Sequence, residues 1–383
     1  MTQGGGALPR VAARTFGADE LLGRAHEAVT TAGAHRLIEG SRVLVTGGGG
    51  SIGSELARQV AQMGPEALYV LDHDESAMHA VQLRLSGHGL LDDDFAVLAD
   101  IRDRERIRTV IRELRPDVIF HAAAHKHLPL LERYPVEGVK TNVLGTQHLV
   151  DAACEFGVDR FILVSTDKAA TPSSVLGSTK RLAELIVAQA AGRGRTRFAS
   201  VRFGNVLGSR GSFLDTLDWQ VANNLPVTVT HPEVTRFFMT VPEAVGQVIE
   251  AAVLAVNGET YVLDMGEPIR ILDLVRRYGE LAGRPDLPMT ITGLRPGEKL
   301  HEDLFCDAEQ SHQSAHELIR CVDVPALDPA RVRDLDPTCS REAVLETLEG
   351  LARSIDQCIE VVPGRRVELI ITERLEDEAG ATF

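Results

Sequence analysis

Four residues near the middle of the chain have side chains that could carry out acid–base chemistry. Thr166, Asp167 and Lys168 are adjacent, and Lys180 follows twelve residues later. An acid beside an amine can supply a general acid and a general base, because each perturbs the pKa of the other. An isolated triplet of this kind is more often a structural ion pair in a solvated turn. Its interpretation therefore depends on the elements that position it.

A second group of residues has the spacing of a phosphate-binding turn. Gly47, Gly50 and Gly53 follow the apolar run RVLVT and precede the helix-forming SELARQVAQM. The first glycine permits a tight turn, the second a close approach of the backbone to a pyrophosphate, and the third close packing of helix on strand. The N–H groups at the start of the helix, including those of Ser51 and Ile52, would face the anion.

The acid that ends the next apolar run indicates which dinucleotide binds. Asp72 follows Gly53 by nineteen positions, where a carboxylate accepts hydrogen bonds from the adenosine ribose hydroxyls. The same carboxylate would repel a 2′-phosphate. The sequence therefore predicts NAD rather than NADP.

The elements around these residues predict an α/β fold. From Ser41 onward, apolar runs of strand length alternate with helical stretches, which is typical of a Rossmann-type, doubly wound parallel sheet. Ligands bind at the carboxyl ends of such strands, and Thr166 to Lys168 come just after one of them. The predicted strands are RVLVTG, ALYVLD, FAVLAD, DVIFHAA and RFILVST. The predicted helices begin near Ser54, Glu75, Arg104 and Ser178, and one more long helix runs through Asn142 to Phe156.

The alternation of predicted strands and helices divides the chain into three parts. Residues 41–205 are predicted to form the NAD-binding domain, and residues 206–383 a smaller α/β substrate lobe interleaved with the last elements of the sheet. Within residues 1–40, we expect a mobile tail over 1–15 and one or two short helices over 18–38, packed outside the main domain. Residues from about 312 onward are expected to finish the lobe or to form oligomer contacts.

Composition excludes several classes of protein. A formal charge of −15, with 55 acidic against 40 basic residues, argues against a nucleic-acid partner. An anionic ligand then requires a locally basic pocket, for which Lys126, Arg210, Arg236, Arg295 and Lys299 are available. No apolar run approaches the roughly 20 residues that span a bilayer, and the start lacks a signal-peptide core. The five cysteines are widely spaced, so we expect reduced thiols, no metal site and a cytoplasmic protein.

Six segments together resemble a known enzyme family. They are VLVTGGGGSIGSELARQV, HAAAHKHLPLLERYPVEGVKTNVLGT, VSTDKAATPSSVLGSTKR, RFGNVLGSRGS, TRFFMT and LRPGEKLHEDL. In order over residues 35–310, they resemble the capsular-polysaccharide-type UDP-N-acetylglucosamine 4,6-dehydratases of the extended short-chain dehydrogenase superfamily. The branch that retains the C5 configuration is the most similar, and its larger members carry transmembrane helices before this domain. With ELLGR as a vestige of that region, the chain is expected to be a soluble, truncated form.

The resemblance implies further binding residues and a homo-oligomer. Asp100 and Ile101 would flank adenine, while Ala122, Ala123 and Asn142 would lie on the nicotinamide side. A UDP-sugar would be surrounded by Lys126, Asn205, Arg210, Arg236, Arg295 and Glu298.

The resemblance also implies a mechanism. The tyrosine of the usual YxxxK motif is replaced by Leu176, so Thr166 and Asp167 are the nearest groups for the C4 hydroxyl proton, and Lys180 would orient the nicotinamide ribose. After hydride transfer from C4 to NAD, Lys168 would remove the C5 proton, Asp167 would protonate the departing C6 hydroxyl, and the hydride would return to C6. Two alternatives stay open: a C4 or C5 epimerase that uses the same 4-keto intermediate, and an inactive NAD-binding sensor.

Overall fold

A computed structural model describes residues 16–23, 31–256, 258–307, 309–325, 329–332 and 335–356. The tail predicted over residues 1–15 lies outside these ranges, as does Cys358. The other four cysteines are free thiols, as expected from their spacing.

The described strands are short and are distributed over the whole length of the chain. They are β1 (Arg42–Thr46), β2 (Ala67–Asp72), β3 (Ala96–Leu98), β4 (Val118–His121), β5 (Arg160–Val164), β6 (Arg197–Arg202), β7 (Asn205–Leu207), β8 (Val227–Val229), β9 (Thr235–Arg236), β10 (Phe238–Thr240), β11 (Thr260–Leu263), β12 (Ile269–Arg270), β13 (Met289–Ile291), β14 (Ser311–Gln313) and β15 (Ile319–Val322).

The described α-helices alternate with these strands. They are α1 (Ala18–Leu22), α2 (Ala32–Ile38), α3 (Ser51–Ala61), α4 (Glu75–Ser86), α5 (Arg104–Leu114), α6 (Leu128–Arg133), α7 (Pro135–Gly138), α8 (Gly145–Phe156), α9 (Val175–Ala190), α10 (Phe213–Ala222), α11 (Val241–Leu254), α12 (Ile271–Leu281), α13 (Pro329–Val332) and α14 (Arg341–Asp356).

Nine of the strands form one sheet, in the order β14-β15-β11-β6-β5-β4-β1-β2-β3. The seven from β11 to β3 run parallel, and β15 and β14 extend the sheet in antiparallel fashion. The order of strands reverses at β1, with β2 on one side and β4 on the other, which is the arrangement of a doubly wound sheet. The predicted α/β fold class is therefore confirmed.

Helices cover both faces of this sheet because successive side chains of a strand point to opposite faces. Leu44 of β1 packs with the face that carries α5, α8, α9 and α14. Its neighbours Val43 and Val45 pack with the opposite face, which carries α3 and α11. All three side chains are fully buried, so each layer excludes water from its face of the sheet.

Elements near both ends of the described region pack more closely with the main sheet and its helices than the sequence predicted. Ala34 and Ile38 of α2 are fully buried in the layer that contains α11, so this helix does not lie outside the main domain. Thr31 caps α2 with its side chain and also donates to Glu250 at 2.8 Å. Past residue 312, β14 and β15 join the main sheet instead of finishing a separate lobe.

Two other elements differ from their predicted bounds near the strand ends. The helix expected from Ser178 begins at Val175, capped by the Ser174 side chain, which places Lys180 in its second turn. The long helix through Asn142 contains a π-helical segment, Val139–Leu144, between α7 and α8. Such segments occur often at functional sites because they change the direction in which side chains point.

A smaller cluster of elements follows β6 along the chain. The strands β7, β8 and β9 pair with β10, β13 and β12 in three two-stranded sheets. Their buried side chains pack with α10 and α12 around Leu217, Val229 and Tyr278. This second core brings the segments after Gly204 to the carboxyl end of the parallel strands.

Candidate active site

The glycine turn after β1 is packed too closely to accept side chains. Gly47 has φ +67°, and a Cβ there would lie 2.5 Å from the backbone of Ala123. A Cβ on Gly53 would lie 2.1 Å from the Gly47 carbonyl oxygen, which confirms the close packing of helix on strand. Gly48 and Gly49, which the spacing did not single out, are equally restricted by Val70 and by Ala77.

This turn fits a pyrophosphate. It is followed at once by α3, which begins at Ser51 and directs its first N–H groups to the space in front of the turn. A cradle without side chains at the start of a helix lets the backbone approach phosphate oxygens closely.

Asp72 ends β2 beside the glycine turn. Its Oδ2 accepts a hydrogen bond from the Gly49 amide at 2.8 Å, and its Oδ1 accepts from the amides of His73 and Asp74. The carboxylate is 9% exposed and points at the turn, as its predicted role at the ribose requires.

Asp100 and Ile101 follow β3 but differ in their surroundings. The Asp100 carboxylate is paired with Arg102, whose Nε donates to it at 2.8 Å. Ile101 is buried against the helical layer, and a Cβ on Gly145 would lie 2.6 Å from its Cδ1. Ile101 is therefore a core residue at the edge of the predicted adenine site.

Asn142 orients the chain after β4. Its Oδ1 accepts from the His125 amide at 2.9 Å, and its Nδ2 donates to the His125 carbonyl at 3.1 Å and to Thr179. These bonds position the segment that includes Ala122 and Ala123, which lies directly against Gly47. Ala122 and Ala123 are therefore close to the glycine turn, and Asn142 holds the backbone of the segment that contains them.

His121 is a buried residue that sequence reasoning did not identify. One ring nitrogen lies 2.7 Å from Thr46 Oγ1, and the other lies 3.0 Å from Thr146 Oγ1. Complete burial lowers its pKa to about 3, and the nearby Lys180 charge acts in the same direction. The imidazole is therefore neutral at physiological pH and joins the end of β1 to α8.

Thr166, Asp167 and Lys168 follow β5 and form one hydrogen-bonded group. Thr166 Oγ1 donates to Asp167 Oδ1 at 2.9 Å, and Lys168 Nζ donates to the same oxygen at 3.0 Å. The predicted pairing of acid and amine is present at the carboxyl end of the sheet. Because Asp167 is 1% exposed, this is not the ion pair of a solvated turn.

The second oxygen of Asp167 is available for chemistry. Oδ2 is buried and, among the described residues, has no hydrogen-bond partner. It lies beside Gly204, where an added Cβ would come within 3.0 Å of it. This oxygen is therefore free to accept a hydrogen bond from a bound group.

Lys168 has two further polar neighbours. Its Nζ lies 3.4 Å from Asn205 Oδ1 and 3.6 Å from Glu302 Oε1. Burial alone would lower the pKa of Lys168, but the Asp167 and Glu302 carboxylates outweigh it and hold the pKa above its usual range. Glu302 was not singled out from the sequence, although it stands in the segment LHEDL after the GEK motif.

Lys180 reaches the same strand end from α9. Its Nζ donates to the Val164 carbonyl at 2.6 Å. Burial lowers its pKa to about 8, although the nearby Glu184 carboxylate opposes the change. Leu176, one turn earlier on α9, is 6% exposed and packs in the hydrophobic core.

The predicted substrate residues form two groups. In the first, Arg236 donates to the carbonyls of Thr235, Lys299 and Leu300, and Glu298 lies 3.3 Å from Arg236 and 3.0 Å from Arg295. Arg236 is 6% exposed, so most of its capacity to donate is used within the chain, whereas the Arg295 side chain is half exposed.

The second group connects the loop after β7 to the glycine turn. Lys126 Nζ donates to the Arg210 carbonyl at 2.8 Å. The Arg210 amide in turn donates to Ser51 Oγ at 2.9 Å. The loop after β7 therefore lies next to the start of α3.

A buried network of ion pairs lies next to the carboxyl ends of β5 and β6. Arg202 pairs with Glu184 at 2.8 Å and with Glu309 at 2.7 Å, and Arg181 also pairs with Glu309. Ser165 donates to Glu184 at 2.6 Å, so the residue before Thr166 is held by this network. The side chains of Arg202, Glu184 and Glu309 are all fully buried.

Known proteins of similar sequence are involved in polysaccharide or nucleotide-sugar metabolism. The family model described as "Polysaccharide biosynthesis protein" matches residues 43–323. A Bacillus subtilis protein named probable polysaccharide biosynthesis protein EpsC is 45% identical over 295 residues, which are 76% of this chain and 49% of that protein. This chain therefore spans about half the length of that relative. A Campylobacter jejuni UDP-N-acetylglucosamine 4,6-dehydratase (inverting) is 33% identical over 283 residues, 72% of this chain and 80% of its own.

Solved structures share the fold. The structure of Pen from Bacillus thuringiensis superposes with a TM-score of 0.68 at 32% identity, over 76% of this chain and 91% of that one. A Thermus thermophilus UDP-glucose 4-epimerase in complex with NAD has a TM-score of 0.57 at 20% identity, over 82% and 99%. In the part of this chain that the structure describes, no helix has both the length and the apolar character to cross a bilayer.

Proposed function

The chain belongs to the polysaccharide biosynthesis protein family, and we propose that it is an NAD-dependent 4,6-dehydratase of UDP-N-acetylglucosamine. The observation that carries the proposal is the buried pair at the end of β5, where Lys168 Nζ lies 3.0 Å from Asp167 Oδ1. Elimination of water requires a base at C5 and an acid at the C6 hydroxyl, because hydroxide is a poor leaving group. Two adjacent groups of opposite charge can divide these tasks.

The residues of the glycine turn fit NAD. Gly47 to Gly53 with the start of α3 would hold the pyrophosphate, Asp72 the adenosine ribose, and Lys180 the nicotinamide ribose. When bound, NAD would supply the acceptor for the C4 hydride and the donor of the same hydride to C6, so the reaction would have no net redox change.

Thr166 and Asp167 would take the proton of the C4 hydroxyl. As the hydride leaves C4, this proton passes to Thr166 Oγ1, and Thr166 passes its own proton to Asp167 Oδ1 along their 2.9 Å hydrogen bond. Leu176 has no titratable group and is packed in the core, so the position of the usual tyrosine does not take part. Asp167 is then protonated and ready to act as the acid.

Lys168 and Asp167 would carry out the elimination. Lys168 first releases the proton of its resting ammonium to water, because its pKa lies above the usual range. The neutral amine then removes the C5 proton, whose acidity is increased by the C4 ketone, while Asp167 donates its proton to the C6 oxygen and water leaves. The ammonium of Lys168 then returns the proton to C5 as the hydride reaches C6. Because one amine removes and returns the proton on one face, the C5 configuration is retained.

A UDP moiety would bind along the basic groups that lie near the carboxyl ends of the strands. Arg295, Lys126 and Arg210 provide the local positive charge that a chain of net charge −15 needs in order to hold a diphosphate. Asn205, Arg236 and Glu298 would complete this pocket.

Incubation of the purified protein with UDP-N-acetylglucosamine, followed by mass spectrometry of the nucleotide sugar, tests the proposal. A dehydratase yields a product lighter by one water. An epimerase yields an isomer of unchanged mass, which chromatography separates, and an inactive NAD-binding sensor yields unchanged substrate. Either of the last two outcomes, after a panel of UDP-sugars has been tried, contradicts the proposed reaction.

A further inference from the structure

The Lys168 amine lies between two carboxylates that come from distant parts of the chain. Asp167 Oδ1 lies 3.0 Å from Lys168 Nζ. Glu302 Oε1, in the segment that follows β13, lies 3.6 Å from the same nitrogen. The Glu302 side chain is 4% exposed, so water screens its charge poorly. An anion held this close in a buried site strongly favours the protonated form of an amine.

The segment just before Glu302 is held in place by hydrogen bonds. Thr235 donates its amide to the Leu300 carbonyl at 3.1 Å, and its hydroxyl lies 2.8 Å from His301 Nδ1. Arg236 donates to the carbonyls of Lys299 and Leu300. Ser173, in the loop that follows Lys168, donates to the Gly297 carbonyl at 3.1 Å. Glu302 is therefore fixed relative to the loop that carries Lys168.

We propose that Glu302 is a positioning residue for the reaction: its buried carboxylate holds the Lys168 amine in place beside Asp167, without itself contacting the substrate. The proposal rests on the proposed function, in which Lys168 is the C5 base. The charged groups that face Lys168 are the carboxylates of Asp167 and Glu302 and the opposing guanidinium of Arg236. Glu302 in turn faces Asp167, Arg236 and the Lys299 ammonium, and burial raises its own pKa against the opposing effect of the Lys168 charge.

The direction of the pKa shifts is consistent with this role. The pKa of Lys168 is raised despite burial, because Asp167 and Glu302 favour the ammonium more than burial and Arg236 oppose it. A higher pKa makes the neutral amine a stronger base but lowers the fraction of it that is neutral at a given pH. The two carboxylates stabilise the ammonium that forms when the C5 proton is removed.

Lysine NMR tests the proposal directly, because the chain contains only five lysines. Protein labelled with ¹³C at lysine Cε gives five signals, and Lys168→Met assigns the relevant one. Glu302→Gln keeps the shape of the side chain but not its charge. In this variant we expect the pH midpoint of the Lys168 titration to fall by about one pH unit or more. Glu302→Asp retains the charge and should give a midpoint closer to that of the wild type.

Asp303→Asn is the matched control. Asp303 is the next residue on the same segment, but its carboxylate is half exposed and pairs with Lys299. This substitution removes an equal charge and should leave the Lys168 midpoint unchanged. If Glu302→Gln does not fold, the pH midpoint of the Lys168 signal is compared between Glu302→Asp and the wild type instead.

The rate of elimination provides the second measurement. Only the neutral amine removes the C5 proton. In Glu302→Gln, the inflection of the pH–rate profile should therefore move to lower pH together with the NMR midpoint. An unmoved midpoint in folded Glu302→Gln overturns the inference, and so does a shifted midpoint with an unmoved inflection. If the midpoint shifts but the wild type dehydrates no nucleotide sugar, the electrostatic coupling stands and the proposed function is wrong.

Discussion

The Gly49 amide donates a 2.8 Å hydrogen bond to Asp72 Oδ2, so the carboxylate that ends β2 also holds the turn that follows β1. The two strands are neighbours in the sheet, and their carboxyl ends lie side by side. Asp72 therefore shapes the glycine turn, and we propose that the free lone pair of its Oδ2 accepts a hydrogen bond from the ribose.

Replacement of Asp72 by Ala should weaken NAD binding about tenfold to a hundredfold, which is the usual contribution of hydrogen bonds to a charged group. It should also reduce the preference for NAD over NADP, because the repulsion of a 2′-phosphate is lost. Titration of both cofactors against the two proteins measures this. Asp74→Ala, which removes only the cap of α4, should leave the ratio of the two affinities unchanged. Tighter binding of NADP by the wild type contradicts the role of Asp72.

Replacement of Thr166 by Val keeps the shape of the side chain and removes the hydroxyl that donates to Asp167. We expect formation of NADH to slow by about two orders of magnitude, in line with the loss of one general acid–base group. Leu176→Met exchanges one apolar core residue for another and should retain most of the activity. Stopped-flow absorbance of NADH measures both. Wild-type turnover in Thr166→Val excludes this hydroxyl from the proton path.

Lys168→Met should stop the reaction after oxidation at C4, because it removes the base of the elimination, and NADH should accumulate on this variant. Asp167→Asn should slow both the oxidation and the elimination, because Asp167 accepts the C4 hydroxyl proton and later protonates the C6 oxygen. In deuterated water, the substrate that Asp167→Asn does oxidise should still exchange the C5 proton, whereas Lys168→Met should not exchange it. Exchange at the wild-type rate in Lys168→Met would show that another group is the base, and Asp167 Oδ2, buried and without a partner among the described residues, is the first to test.

Lys180 should titrate near neutral pH in the free protein. Burial depresses its pKa to about 8, so the ammonium is present below that pH and is lost as the pH rises through it. The same ¹³C lysine spectra, with Lys180→Arg to assign the signal, measure the midpoint. Arginine does not deprotonate in this range, so any loss of NADH formation above pH 8 that is due to Lys180 should vanish in Lys180→Arg. A midpoint in the usual lysine range contradicts this prediction.

Glu309→Ala should destabilise the protein by about 3–5 kcal/mol, because it leaves the buried charges of Arg202 and Arg181 without one of their partners. Urea unfolding measures the loss in the free energy of unfolding. Glu155→Ala removes a carboxylate from an exposed pair with Arg108 and should have a far smaller effect. Equal effects of the two substitutions would mean that the network does not support the strand ends.

The local features of the site could be predicted from the sequence because they depend on short-range geometry. The spacing from Gly47 to Gly53 indicates a turn that only glycine fits, and apolar runs separated by helical stretches indicate a parallel sheet. Since the carboxyl ends of parallel strands lie at one edge, the order of the chain was sufficient to bring Asp72 and Asp167 to the same edge. The cytoplasmic location and the homo-oligomer stay predictions.

Contacts between distant segments were decided by the tertiary structure alone. No local pattern distinguishes Glu302 from a surface carboxylate, and its place beside Lys168 depends on how the segment after β13 folds back over the strand ends. Glu309 likewise meets Arg202 only because β15 returns to the sheet next to β11. Periodicity reports which face of an element is buried, but the charges that meet across the interior depend on long-range packing, and these charges set the protonation of the lysine at the centre of the site.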